Sequence, residues 1–168
     1  SQDAGKTWQR VTVLSEDFDR HISQIIVVGN SLLLVAESGT LARSDDAGAT
    51  WTALTSPYQG SYFGALAVQD GSVLAFGMRG NVFRSLDVGT TWQKIETGTT
   101  TSFMSGLQLA DGRVMLVGNA GLIAESADGG QSFVLHTAKP GKGFAALMEK
   151  SGGGILLAGE RRRWKRSV

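Results

Sequence analysis

Acidic, basic and imidazole side chains gather in one stretch of the chain, Glu16-Asp17-Phe18-Asp19-Arg20-His21. Two carboxyl groups about 5–10 Å apart across a sugar hydrolyse glycosidic bonds, so Glu16, Asp17 and Asp19 are the candidates for that chemistry. The equivalent loops, 59–64 and 97–106, hold Ser, Thr, Gly and aromatic residues but no acid, which makes loop solvation the plainer role for the cluster. Of the nine Asp, six recur in two fixed turn contexts described below, and only Asp17, Asp19 and Asp45 stand outside them. His21 and His136 lie far apart with no metal-ligand spacing around them. With no Cys, there is neither a thiolate nucleophile nor a sulfur ligand set. No nucleophile elbow or phosphate-binding Gly loop is present, and no metal or cofactor is expected.

The elements that position these residues are read from a repeat. Ser1, Asp3, Gly5 and Trp8 recur as Ser44, Asp46, Gly48 and Trp51, as Ser85, Asp87, Gly89 and Trp92, and as Ser126, Asp128, Gly130 and Phe133. The pattern Ser-x-Asp-x-Gly-x-(Thr/Ser)-aromatic is spaced by 43, 41 and 41 residues, a period that marks a repeat architecture. It divides the single domain, 1–168, into repeats near 1–43, 44–84, 85–125 and 126–167. Within each period the residues read as short strands. Ala65–Gln69 and Leu107–Ala110 end at Asp-Gly hairpin turns, Val73–Gly77 and Val114–Gly118 return, and third strands run over Val82–Ser85 and Leu122–Ser126. The recurring box turns the chain into a fourth strand at its aromatic residue. Four antiparallel strands in about 41 residues make one blade of a β-propeller, so the fold class is all-β. Residues 7–14 are expected as a lone fourth strand. Together with strands at 144–149, 154–159 and about 163–167, it either closes a small four-bladed ring or belongs to part of a larger propeller. Arg162 occupies the slot of the turn glycines Gly39, Gly80 and Gly121, where a left-handed backbone would strain it, so the second alternative is preferred.

The box reads as architecture. Its Ser and Asp side chains bond nearby backbone groups, its Gly takes a left-handed conformation, and Trp8, Trp51, Trp92 and Phe133 each offer about 150–250 Å² of burial to anchor blade to blade. One carboxylate per period gives no convergent cage for calcium. The segments resemble the Asp-box, or bacterial neuraminidase repeat, of sialidases, sortilin-type receptors and other β-propellers. The longer pattern, which adds two preceding glycines and an Arg before the box Ser, is similar to the photosystem II assembly and stability factor family and its bacterial relatives. A sialidase site would need three convergent Arg, a Tyr–Glu pair and an Arg-Ile-Pro segment. The last is absent, and Tyr58 and Tyr62 have no Glu neighbour, so that activity is not carried over.

What the second resemblance implies is a non-enzymatic protein-binding or assembly scaffold. Its partner would be a membrane-protein complex met through an arginine-rich face in the periplasm or an equivalent lumen. Arg43 and Arg84 share one repeated slot and are the candidate contributors, though Glu125 interrupts the series. Phe63 and Met104 align with Ile22 at the constant offset and are assigned to the core. Tyr62 and Phe103 align with His21 and are expected as exposed partner contacts. A carbohydrate-active propeller is the alternative reading.

Composition sets the remaining bounds. At 42% hydrophobic the chain can build a core, while 23 Gly against 2 Pro fits many tight turns between strands. The net charge is +1 and five of the bases crowd into 160–166, leaving a mildly acidic body that excludes a nucleic-acid-binding face. Apolar runs stop at about five residues, far from the ~20 of a membrane-spanning helix. Open blade edges would offer a route to homo-oligomers.

Overall fold

A computed structural model of the chain describes residues 1, 3–138 and 142–160. The basic run from 161 onward, with the expected strand near 163–167 and the Arg162 slot, lies outside the described residues. The strands are β1 (Ile22–Val28), β2 (Ser31–Ala36), β3 (Leu41–Ser44) and β4 (Thr52–Ala53), then β5 (Tyr62–Ala67), β6 (Val73–Gly77), β7 (Val82–Ser85) and β8 (Gln93–Ile95). They continue as β9 (Phe103–Gln108), β10 (Val114–Gly118), β11 (Leu122–Ser126) and β12 (Val134–Thr137), and end with β13 (Phe144–Glu149) and β14 (Ile155–Gly159). Each group of four forms one antiparallel sheet in chain order, and β13 pairs with β14. The first strands of successive sheets are neighbours, β1 beside β5, β5 beside β9 and β9 beside β13, which is the radial stacking of propeller blades. This is an open arc, part of a propeller. The small closed ring is not formed among the described residues.

The second strands show why the sheets stack. Every residue of β6 (VLAFG) and of β10 (VMLVG) is buried, because a blade covers each face of the sheet, and such strands lose the apolar–polar alternation of a half-exposed sheet. Asp70-Gly71 closes the β5–β6 hairpin: Gly71 N–H donates to Val68 O, while Ser72 N–H and hydroxyl both donate to Asp70 Oδ1. Leu74, Phe76, Phe103, Val114 and Leu116 form a continuous core between the second and third sheets.

Two expectations are corrected here. The inner strands begin earlier than their apolar pattern indicates, at Tyr62 and Phe103, because Gly64 and Gly106 interrupt that pattern. A Cβ at either glycine would meet the Phe76 ring, which sits between them, so these glycines are core positions. Residues 7–14 form no strand, and Trp8 is 79% exposed. The reason lies in the direction in which the box aromatics pack. Trp92 rests on Leu33 and Val28 of the preceding sheet, and Phe133 on the cluster holding Leu74 and Val68 of its own preceding sheet. Among the described residues no sheet precedes Trp8, and an extended segment without a partner strand leaves its backbone to water.

The inner strands also carry a one-residue shift. Ile22 stands opposite Ala36 as Tyr62 stands opposite Gly77 and Phe103 opposite Gly118, with a bulge immediately after Ile22 and Tyr62. The true equivalents of Tyr62 and Phe103 are therefore Ile22 and Phe144, not His21. Since a slip of one residue exchanges the two faces of a strand, Tyr62 and Phe103 move from the expected surface slot into the core, where both are buried.

Candidate functional site

The four boxes share one hydrogen-bond pattern. In the second, the Ser44 hydroxyl donates to Asp46 Oδ1 at 2.7 Å and accepts the Gly48 N–H at 2.8 Å. The Thr50 N–H and hydroxyl donate to the two oxygens of Asp46 at 2.8 and 2.6 Å. Ser85–Asp87–Gly89–Thr91 and Ser126–Asp128–Gly130–Ser132 repeat these four bonds, as do Ser1–Asp3–Gly5–Thr7. Two successive left-handed residues make the turn. Val88 at φ 53° precedes Gly89 at φ 87°, a conformation that a β-branched residue adopts only when its surroundings impose it. The donors hold the carboxylates ionised. The Thr50 hydroxyl and N–H, with the Ser44 hydroxyl, lower Asp46 from 3.8 to about 2. At Asp3 the Thr7 N–H and hydroxyl and the Ser1 hydroxyl do the same, also to about 2. At Asp128 partial burial works upward, but the Ser132 and Ser126 hydroxyls and the Ser132 N–H outweigh it and hold the group at about 2. These carboxylates are thus engaged within their own turns.

The acids of the 16–21 loop are engaged one by one or face solvent. Glu16 accepts from the Thr12 hydroxyl at 2.7 Å and lies 3.8 Å from Arg10, while Asp19 faces Arg20 at 3.5 Å. Asp17 is exposed. Arg20 donates to the Ser38 hydroxyl, and His21 meets Glu37 at 3.0 Å. The His21 N–H and ring, with Arg20 nearby, lower the Glu37 carboxyl. Among the described residues no group of three His, Asp or Glu converges in a metal-like cluster. His136 lies on β12, opposite Ile123 of β11.

The repeated arginines turn toward neighbouring blades. Arg84 on β7 donates through Nη2 to Asp70 at 2.6 Å and through Nε to the Gly129 carbonyl in the next sheet's box at 3.1 Å, with only 9% of its side chain exposed. Burial works against the Asp70 charge, yet the Ser72 hydroxyl and N–H and the Arg84 guanidinium keep its carboxyl below the ordinary range. Arg43 follows the same route less tightly, from Asp45 at 3.1 Å to the Thr90 hydroxyl of the next box at 3.2 Å, and is 30% exposed. In the third sheet the charges exchange places, and Glu125 receives Arg113, which also grips Asp111. Arg84 is consequently a clasp between blades rather than an open surface group.

Tyr62 and Phe103, expected as exposed contacts, are corrected to core residues. Tyr62 stacks edge-on against Tyr58 and Phe83, and its hydroxyl lies 2.8 Å from Ser56 Oγ. Burial, aided by Tyr58 and opposed by the Ser56 hydroxyl, pushes its pKa up to about 12. A further set of blade clasps escaped the sequence reading. Gln108 accepts the Gln69 N–H and Glu149 accepts the Ala110 N–H, both at 2.8 Å and both 39 residues back. Their equal spacing is the signal by which they can be found. The outer rim also holds a shallow depression of about 550 Å³ between Arg79, Lys94, Glu96 and the Thr97–Thr100 loop.

Radial four-stranded sheets, each with a box whose Ser and Asp lock the turn between its third and fourth strands, define an Asp-box β-propeller arc. Within that class the chain belongs to the family described as Photosynthesis system II assembly factor YCF48, whose sequence profile matches residues 1–108. No curated protein matches it in sequence. Among solved structures it is similar to YCF48 bound to D1 peptide, at 18% identity and TM-score 0.71, covering 92% of this chain and 51% of that one. YCF48 from Cyanidioschyzon merolae is similar at 15% identity and TM-score 0.67, over 93% of this chain and 55% of that one. The WD40 β-propeller domain of Doa1 shares the fold at 14% identity and TM-score 0.67, over 82% and 47%. The chain thus spans about half the length of the solved propellers it resembles.

Proposed function

We propose that the chain is a non-enzymatic scaffold that binds a protein partner during assembly of a membrane-protein complex outside the cytoplasm. The observation that carries this reading is membership of the assembly-factor family over residues 1–108. One similar structure holds a D1 peptide, and the ligand class proposed for this chain is likewise a peptide segment of a membrane protein. Use of the box carboxylates by their own turns supports an architectural role for the repeat. Calorimetric titration of the chain with D1 peptide and with a scrambled control tests the proposal. Saturable heat with the first alone is the expected result, and no heat with either at low and moderate salt overturns it. Hydrolysis of aryl glycosides that disappears in Asp17→Asn or Asp19→Asn would instead establish the carbohydrate-active alternative.

A further inference from the structure

The fourth strand of each four-stranded sheet lies at the rim, and its outer edge pairs with no other strand among the described residues. Propellers keep such edges short and guarded, because an uncovered row of N–H and C=O groups recruits another chain. Two of the three rims follow that rule. β4 has two residues; β8 has three and carries Lys94, which meets Glu96 at 2.9 Å with both side chains more than half exposed. β12 departs from it, since its four residues, Val134-Leu135-His136-Thr137, include no Lys, Arg, Asp, Glu or Pro. Val134 is 64% exposed, and that exposure belongs to the rim slot. Its counterparts Thr52 and Gln93, opposite Arg43 and Arg84 as Val134 is opposite Glu125, are exposed beside complete next sheets. Register fixes where the backbone points. Ala138 N–H donates to the Gly121 carbonyl, so the residues bonded to β11 are the alternate ones, Val134, His136 and Ala138. The N–H and C=O groups of Leu135 and Thr137 therefore face outward along the rim.

We propose that β12 is a strand-addition site, along whose outer edge an extended, uncharged segment of a partner polypeptide rich in Val, Ile or Thr pairs. This rests on the reading of the chain as a peptide-binding scaffold and names the surface that holds the peptide. Alternating donors and acceptors at strand spacing are matched by another extended backbone. A paired strand sets its side chains beside those of β12, where a β-branched residue is the favourable cross-strand neighbour of Val134. A charged residue there gains no counter-charge from β12. The side chains of Phe133 and Leu135 pack on the core between the second and third sheets, so the edge is held extended before a partner arrives, which lowers the cost of adding a strand. A second copy of the chain is the poorer fit. Two convex rims would touch along this one strand and bury far less than the ~1,200 Å² of a stable protein pair, whereas a flexible segment can follow the strand and its flanks.

Amide hydrogen exchange of the 168-residue chain, read residue by residue by NMR, tests the site. One probe is a short soluble peptide of alternating Thr and Val with Lys at both ends, and the other is D1 peptide. The Thr–Val peptide should slow exchange at Leu135 and Thr137 about tenfold and leave Lys94 of β8 unchanged. Thr137→Pro removes one outward donor, a change that edge strands tolerate, and His136→Lys adds a guarding charge. Each should abolish the slowing with unchanged β-sheet circular dichroism, since both residues are exposed; if the Pro variant unfolds, His136→Lys decides alone. Equal slowing in His136→Lys, or slowing of the same amides on concentrating the chain without peptide, overturns the proposal, the latter by assigning the edge to a second copy. Saturable D1 binding with no slowing at these amides by either probe overturns the edge and leaves the scaffold reading standing. Slowing by the Thr–Val peptide without any D1 binding sustains the edge and overturns D1 peptide as the ligand.

Discussion

Replacing Arg84 with Ala separates a blade clasp from a docking residue. The substitution removes a 2.6 Å charge-assisted bond to Asp70 and a 3.1 Å bond to the Gly129 carbonyl, and it opens the space of a side chain that is nine-tenths buried. Hydrogen bonds to charged groups contribute about 1.5–3 kcal/mol each when buried, and losing one partner of a buried pair costs about 3–5 kcal/mol. Asp70 keeps both Ser72 donors and is 44% exposed, so the left-over charge is solvated and the lower part of that range applies. Arg84→Ala should cost about 2–3 kcal/mol, which for a chain of this length corresponds to roughly 5–10 °C in Tm. Arg43→Ala should cost only about 0.5–1 kcal/mol, because its partner Asp45 is 62% exposed and its bond to the next box ends on a neutral hydroxyl. Urea unfolding followed by tryptophan fluorescence measures both, and a double-mutant cycle with Asp70→Ala isolates the pair. Equal losses at the two arginines, or a coupling near zero between Arg84 and Asp70, would refute the clasp.

The boxes make stability depend on acid pH. Asp3, Asp46 and Asp128 are held at about 2 against an ordinary 3.8, so their contribution is complete above 3.8 and is lost as pH falls through about 2. The urea midpoint should therefore fall between pH 4 and pH 2, and the fall should be shallower in Asp46→Asn combined with Asp128→Asn. An unchanged slope would contradict the assignment. The two ends of the box series should also differ in the unfolding assay. Trp92→Ala should cost about 2–4 kcal/mol, near the range for large aromatic truncations in a core, because it sits between two sheets. Trp8→Ala should stay within about 0.5 kcal/mol in the isolated arc, as surface substitutions do.

The strands and boxes were legible in the sequence for a physical reason. A box is closed by bonds spanning two to four residues, so Ser, Asp, Gly and Thr at fixed spacing carry the whole turn within themselves. Asp-Gly hairpins and apolar return strands are local in the same sense. What crosses between blades was not legible. The paired roles of Arg84, Gln108 and Glu149 depend on partners 39 to 45 residues away, brought close only by stacked sheets. The burial of Tyr62 and Phe103 turned on a single residue of register, set where a bulge follows Ile22 and Tyr62, and a constant offset along the chain does not reveal it. Sequence alone determined that four-stranded units recur and how each turn is tied, because those interactions are short-range. Tertiary structure decided which face of each strand is covered, because side chains alternate along a strand and only the neighbouring blade selects the side to bury.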